Sequence, residues 1–237
     1  MRWLYPYALL LALWWLVARL SNPFVTPSPR DALARVDGEL LGQAGVTLTR
    51  VLSAFALALV AGVALGALIG TVAGARRALR PLVQFMFPVP KVALYPALLI
   101  LLGLGSPSKV ALGALEAVFP VALATAAGTS RVSPRLRWSA ASLGTRRPWL
   151  KVTLPAALPA ILTGARIGLV GGVIGVFIGE LIAGPDGLGH VMAVAYRTLD
   201  TPAMYAAIVC VSVLGFALDR ALVTLRARLL AWSPEER

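Results

Sequence analysis

Six stretches of this chain, residues 4–20, 51–74, 82–105, 108–127, 159–183 and 203–222, are apolar runs of about the length that crosses a bilayer as a helix. A span takes roughly 20 predominantly apolar residues, because each residue of an α-helix rises about 1.5 Å through a hydrocarbon layer about 30 Å thick. The expected fold is therefore all-α, a polytopic membrane protein with six transmembrane helices. Residues 1–232 read as a single membrane domain and 233–237 as a disordered tail. The first run follows Arg2, as a signal peptide would, but it ends Val17-Ala18-Arg19. A charged, bulky residue stands where a cleavage site needs small ones, so it reads as an uncleaved span.

Composition agrees. Of the 237 residues 59% are hydrophobic and only 14% charged, against about 25% in soluble domains. The net charge of +12 would suggest nucleic acid in a soluble protein. In a membrane protein it reads instead as basic cytoplasmic loops, so no nucleic-acid partner is expected. The one cysteine, Cys210, lies in an apolar run, and His190 is the one histidine; neither a disulfide framework nor a metal cluster is expected.

Lys/Arg counting sets the orientation. With both termini in the cytoplasm, that side holds fourteen basic residues and the opposite side six, with Lys91 and Arg166 in or near spans. The bias predicts both termini inside. Outside lie residues 21–48, expected to carry a short amphipathic helix from Asp31 to about Leu41 with Asp31 as N-cap, and residues 184–202, which open on the turn cluster Gly184-Pro185-Asp186-Gly187-Leu188-Gly189. A Gly-Ser-Pro-Ser turn at 105–108 makes a hairpin of the third and fourth spans, with Lys109 snorkelling at its tip.

Within the spans, Gly62, Gly66, Gly70 and Gly74 repeat every four residues, as do Gly164, Gly168, Gly172 and Gly171, Gly175, Gly179. Such stripes allow close helix approach in lipid, either as ordinary packing or as sliding surfaces. Charges at bilayer depth are costly and mark functional positions. Lys91, Glu116, Arg166 and Glu180 are the candidates for a translocation pathway. A structural Glu116–Arg166 or Glu116–Lys91 pair is the competing reading, and Asp219-Arg220 reads as interfacial.

The polar, basic segment inside this apolar chain needs its own reason. Residues 134–169 read PRLRWSAASLGTRRPWLKVTLPAALPAILTGARIGL. A short helix with small residues Ser139, Ala140 and Ala141, a Gly stop at Gly144 and then Leu154-Pro155 make a compact cytoplasmic knob, suited to a groove on a soluble partner. The ordered set Pro134, Leu136, Ala140, Leu143-Gly144, Leu154-Pro155, Leu158-Pro159 and 163–169 resembles the EAA loop of bacterial ABC importer permeases. Pro88-Val89-Pro90, the 103–109 turn, Gly187-Leu188-Gly189, Leu199-Asp200-Thr201 and Leu218-Asp219-Arg220 resemble the sulfonate, taurine and nitrate branch, which includes permeases for thiamine-pyrimidine precursors.

The resemblance implies the type I importer permease fold, a permease homodimer in the bacterial inner membrane, two cytoplasmic ATP-binding subunits and an extracytoplasmic solute-binding protein. It implies that Trp138, Ser139, Ala140, Ala141, Leu143, Gly144, Leu154 and Pro155, in a coupling loop over 129–158, grip the ATPase. Three departures stand out: Trp138 where the motif begins with glutamate, a shorter stretch between Gly144 and Leu154, and Glu116 where the branch has a small residue. The chain carries no G-x-x-x-x-G-K-[ST] loop, so it is expected to hydrolyse no ATP and to hold no cofactor, ATP being bound by the partners. The competing classes are an ATP-independent secondary transporter relaying protons through its membrane carboxylates and a non-transporting membrane scaffold. An inverted repeat, the mark of many such carriers, is not evident.

Overall fold

A computed structural model describes residues 5–22, 24–146 and 148–232. Among them regular structure is helical throughout: α1 (Tyr5–Leu20), α2 (Pro29–Ala34), α3 (Gly38–Thr71), α4 (Ala73–Met86), a 3₁₀ turn (Lys91–Leu94) leading into α5 (Tyr95–Leu102), α6 (Ser106–Ser130), α7 (Pro134–Ser142), a π turn (Trp149–Thr153) running into α8 (Leu154–Ala183), α9 (Leu188–Thr198) and α10 (Thr201–Leu229). The expected tail, 233–237, lies outside the described residues.

The apolar helices α3, α6, α8 with its π turn, and α10 are each long enough to cross a membrane. The third expected span is not one straight helix. α4 and the 3₁₀–α5 segment meet at a bend of 91°, and count as a fifth span only when taken together. The cause is in the break itself. Pro88 and Pro90 donate no N–H, so the helical ladder cannot continue past Phe87, and Pro90 takes extended backbone at φ −70°, ψ 93°. Within the described residues α1, Tyr5–Leu20 with its apolar part at Ala8–Leu20, is shorter than the usual span. Six crossings thus require both the bent pair and this shorter helix.

Two further expectations change. The predicted helix from Asp31 to Leu41 is two helices. Ser28 caps α2 through a reciprocal box, its hydroxyl accepting from Asp31 N–H while the Asp31 carboxylate accepts from Ser28 N–H. Asp31 is therefore the third helical residue and not the cap. Its carboxyl is held below the ordinary aspartate range by the Ser28 hydroxyl, which donates to it at 2.6 Å, and by Ser28 N–H. Asp37 then offers a second cap, accepting from Leu40 N–H at 2.8 Å, and the chain restarts as α3. Lys109 does not snorkel: it is fully buried, its ammonium donating to Leu104 O and Gly105 O. The Gly103–Gly105 turn, with Gly103 at φ +76°, ends α5 and frees those carbonyls.

The described chain forms two compact units. One combines the chain up to Thr49 with Phe177–Leu214, the other Arg50–Val176 with the chain from Gly215 onward. In the second, α6 is central. Gly62, Gly66 and Gly70 of α3 lie against Val121, Thr125 and Thr129 of α6, and Gly164, Gly168 and Gly175 of α8 against Ala124, Ala117 and Gly113. These stripes are packing surfaces within one protomer, where the absent Cβ lets backbones touch. Gly74 leaves the stripe, since it falls in α4 beside open space. Apolar clusters fill both sides, Val51, Ala165, Leu169, Val176 and Leu222 in one, Ile69, Val83, Ala122 and Ala126 in the other. In the first unit Leu40, Leu188 and Ala206 are the buried centre, flanked by a half-buried Cys210.

Candidate coupling and translocation sites

The polar knob is built as a capped, isolated helix. Ser133 Oγ accepts from Arg135 N–H at 3.2 Å and Pro134 opens the first turn, both N-terminal devices. At the other end Gly144 takes φ +67° and Thr145 N–H reaches back to Ala140 O at 3.0 Å. That is the six-to-one closure of a Schellman stop, which needs a residue free of Cβ strain at the left-handed position. After the stop, a π turn at Trp149–Thr153 passes directly into α8, so Leu154 and Pro155 form its first turn and α7 rests against that π turn. Arg147, between the two, is outside the described residues.

The expected coupling residues differ in their surroundings. Trp138 is 69% and Leu143 83% exposed, and Ser139, Gly144 and Pro155 are exposed too. Leu154 is half-buried. Ala140 is 7% exposed and packs toward the protein itself. Ala141 occupies the last turn of α7.

Of the four pathway candidates, the fold brings two together. Lys91, almost wholly buried at the bend, places its ammonium 3.4 Å from a Glu116 carboxylate oxygen. The same Nζ donates to Phe87 O and Val89 O, each at 3.0 Å, and lies 5.4 Å from the Phe119 ring centre. The broken helix thus leaves carbonyls that a cation satisfies, and Glu116 neutralises that cation. Room for Glu116 comes from α8, where Gly171 and Gly175 lie against its backbone and Cγ.

Arg166 goes elsewhere. Its Nε donates to Asp219 Oδ1 at 2.6 Å and its Nη2 to Oδ2 at 2.9 Å, a two-pronged pair between α8 and α10. Arg220 adds a contact to Asp219 Oδ2 at 3.2 Å, and about two turns further along α10, Arg226 donates to Thr163 Oγ1 at 3.3 Å. Asp219 is therefore the partner of a span cation and not merely an interfacial group.

Glu180 lies in the other unit, fully buried. Its Oε2 accepts from Thr47 Oγ1 at 2.8 Å and from Gly189 N–H at 3.1 Å, while Thr47 Oγ1 accepts from Leu188 N–H at 2.9 Å and Gln43 Oε1 from Gly187 N–H at 2.6 Å. These bonds hold the start of α9 on α3 and α8. Gly187 and Gly189 are required there: a Cβ at either would strike the Glu180 side chain, and Gly187 also has φ +96°. Gln43 and Thr47 were absent from the expected site residues. Their signal was a polar pair one helical turn apart beside Arg50. Close by, a cavity of about 370 Å³ opens between Glu39, Gln43, His190, Thr198 and Asp200, with Asp200 ion-paired to Arg35 at 3.1 Å. Among the described residues no group of His, Cys, Asp and Glu is placed to hold a metal ion.

Residues 43–230 match the family described as binding-protein-dependent transport system inner membrane component. The chain is 35% identical to the taurine transport system permease protein TauC of Escherichia coli, over 96% of this chain and 88% of that one. It is 31% identical to the putative aliphatic sulfonates transport permease protein SsuC of Bacillus subtilis, over 95% and 85%. It is 30% identical to the nitrate import permease protein NrtB of Synechocystis, over 73% and 64%.

Proposed function

Since this chain belongs to the inner membrane components of binding-protein-dependent transport systems, we propose that it forms the substrate pathway of an ATP-driven importer and couples it to separate cytoplasmic ATPase subunits by alternating access. The observation that carries this reading is the construction of α7, a helix capped at both ends, bearing exposed Trp138 and Leu143, and joined through a π turn to the span α8. A rigid lever of this kind transmits a push from a soluble partner into a membrane helix. Two such chains, two ATPases and an extracytoplasmic solute-binding protein complete the importer. Both termini face the cytoplasm, as the basic-residue bias favours. ATP is bound and hydrolysed in the partners, and this chain needs no cofactor of its own.

Lys91–Glu116 and Arg166–Asp219 are the polar pairs of the pathway-forming unit. Each satisfies its membrane charge internally, which favours a gate that rearranges over a proton relay. Glu180 serves the fold of the outer turn and not the solute. The solute is a small polar or anionic molecule of the sulfonate, taurine or nitrate kind, or a thiamine-precursor-like one, the class named for the relatives. The test is reconstitution in proteoliposomes with the cognate ATPase and binding protein. Uptake of labelled taurine or an alkanesulfonate, dependent on ATP and on the binding protein, supports the reading. Uptake without ATP, driven by a proton gradient, overturns it in favour of a secondary transporter.

A further inference from the structure

We propose that Trp138 is the anchor of the ATPase interface, and that the ATPase subunit matched to this chain receives it in an apolar hole rimmed by acidic groups. This rests on the reading of α7 as the coupling helix.

The geometry sets Trp138 apart. Successive residues of a helix turn by about 100°, so Trp138 and Ala140 lie about 160° from one another around α7. Ala140 is 7% exposed and faces the protein, whereas Trp138 is 69% exposed and faces away. The neighbours on the outward side are small or polar: Ser139, Ser142 and Arg135 are all exposed. A single indole therefore stands proud of a low polar surface, the shape that fills a hole. Trp leads the residues that carry binding energy at protein interfaces, because it buries a large rigid area with few rotors to freeze.

The charge around the indole is of one sign. No Asp or Glu occurs anywhere between Glu116 and Glu180. Arg131, Arg135, Arg146 and Lys151 ring the knob with exposed cations. An unbroken positive collar is complemented by carboxylates, which steer encounter, while the central aromatic contact holds the complex. A glutamate at position 138 would have called for a cation in the partner groove. Trp138 offers no charge to such a cation and buries its large area best against apolar atoms, so the partner groove is apolar at this point.

A basic helix with an aromatic residue also suits an anionic lipid surface. The arrangement on α7 disfavours it: Leu136, 54% exposed, lies about 200° around the helix from Trp138, and Leu143 lies near Leu136. Leu136 is only about 40° from Ala140, on the side turned to the protein, so the outward side offers a bilayer one indole among polar residues and not an apolar stripe.

The experiment uses the full chain in nanodiscs of neutral phosphatidylcholine and, separately, of anionic phosphatidylglycerol, with the purified cognate ATPase. Wild type, Trp138→Phe, Trp138→Ala and Trp138→Glu are compared for ATPase affinity. The variants should keep the wild-type thermal midpoint, because the side chain is solvent-exposed. Trp138→Ala is expected to weaken binding about thirtyfold, the usual size of an aromatic hot spot, and Trp138→Glu at least as much. Trp138→Phe should stay within about fivefold. Raising salt should weaken wild type and Trp138→Ala with the same slope, since the basic collar is intact in both. Equal affinity of Trp138→Ala and wild type in neutral discs overturns the proposal. If, in addition, anionic lipid alone protects α7 from hydrogen exchange in wild type and not in Trp138→Ala, the indole's partner is the bilayer. If wild type binds no ATPase in either disc, the reading of α7 as a coupling helix falls, and this proposal with it.

Discussion

Arg166 of α8 and Asp219 of α10 form a two-pronged ion pair, at 2.6 and 2.9 Å, on helices whose apolar contacts also meet at Leu169 and Leu222. The planar guanidinium fixes direction as well as distance, so the pair sets how α8 is rotated against α10. The N-terminal end of α8 continues from the π turn against which α7 rests. On the proposed coupling role of α7, a displacement of α7 would reach α10 through this pair.

The consequence is a loss of coupling on breaking it. Asp219→Asn and Arg166→Gln should each lower the ratio of solute transported to ATP hydrolysed, and each should lower the thermal midpoint. The exchange Arg166→Asp with Asp219→Arg should recover part of both, since the pair is re-formed with its ends reversed. Substituting Lys for Arg166 should rescue stability better than coupling, because an ammonium keeps the charge and not the fork. Wild-type coupling in the single variants would show that α8 and α10 are set by apolar packing alone.

A second expectation concerns Lys91 and Glu116. Glu116→Gln leaves a buried ammonium with the carbonyls of Phe87 and Val89 but no counter-charge. Breaking a buried ion pair by removing one partner costs about 3–5 kcal/mol, and the two carbonyls hold the loss toward the low end. Lys91→Met with Glu116→Gln should restore most of it, as replacing both partners of a buried pair often does. Thermal unfolding in detergent of the two single variants and the double variant checks this. A double variant less stable than either single one would mean that Lys91 chiefly caps the broken helix.

These pairs mark where the chain was legible beforehand. Apolar run length located the helices of α3, α6, α8 and α10, and the Pro/Gly punctuation around 134–159 located the knob and its Gly144 stop. Hydropathy sums composition over a window and carries no direction, so the 91° bend at Phe87–Pro90 went unread although both prolines were visible. The start of α3 at Gly38 is not legible in the hydropathy, because Gln43, Thr47 and Arg50 look like loop residues until their partners are known. Lys109 looked exposed for the same reason: its acceptors are carbonyls, which every residue has. Which charge meets which depends on helix rotation. Glu116 had two candidate cations, and the fold chose Lys91 and gave Arg166 to an aspartate that had been assigned to the interface.

The glycine stripe gives a test of packing. At Gly66 an added Cβ would fall about 2.6 Å from Thr125 Cβ and closer still to Ala122 O, so α3 and α6 must part. Overpacking of this kind costs typically about 1–3 kcal/mol, and backbone on the opposing side leaves little room to relax. Gly66→Ala should therefore lower the thermal midpoint and the yield of monodisperse protein. Gly74→Ala, four residues beyond Gly70 and beside open space, should do neither and should gain slightly from helix propensity. Equal behaviour of the two variants would show that the stripe is not in close contact.

The last expectation concerns the turn at residues 184–189. Thr47 Oγ1 donates to Glu180 and accepts from Leu188 N–H, so one hydroxyl serves both the carboxylate and the start of α9. Thr47→Val keeps the shape and removes both bonds, leaving the buried Leu188 N–H without that acceptor, at a cost of about 1–3 kcal/mol. The loss is local, because Gln43 still accepts from Gly187 N–H and Glu180 from Gly189 N–H. Amide exchange should therefore quicken across residues 184–198, while exchange in α6 stays at the wild-type rate. Glu180→Gln should loosen the same segment more, since a neutral amide accepts less strongly than a carboxylate and brings donors where the turn offers N–H groups. If Glu180 bore the solute instead, Glu180→Gln would alter solute preference and leave exchange across 184–198 unchanged. That outcome would return Glu180 to the pathway and leave the Thr47 hydroxyl as an incidental contact.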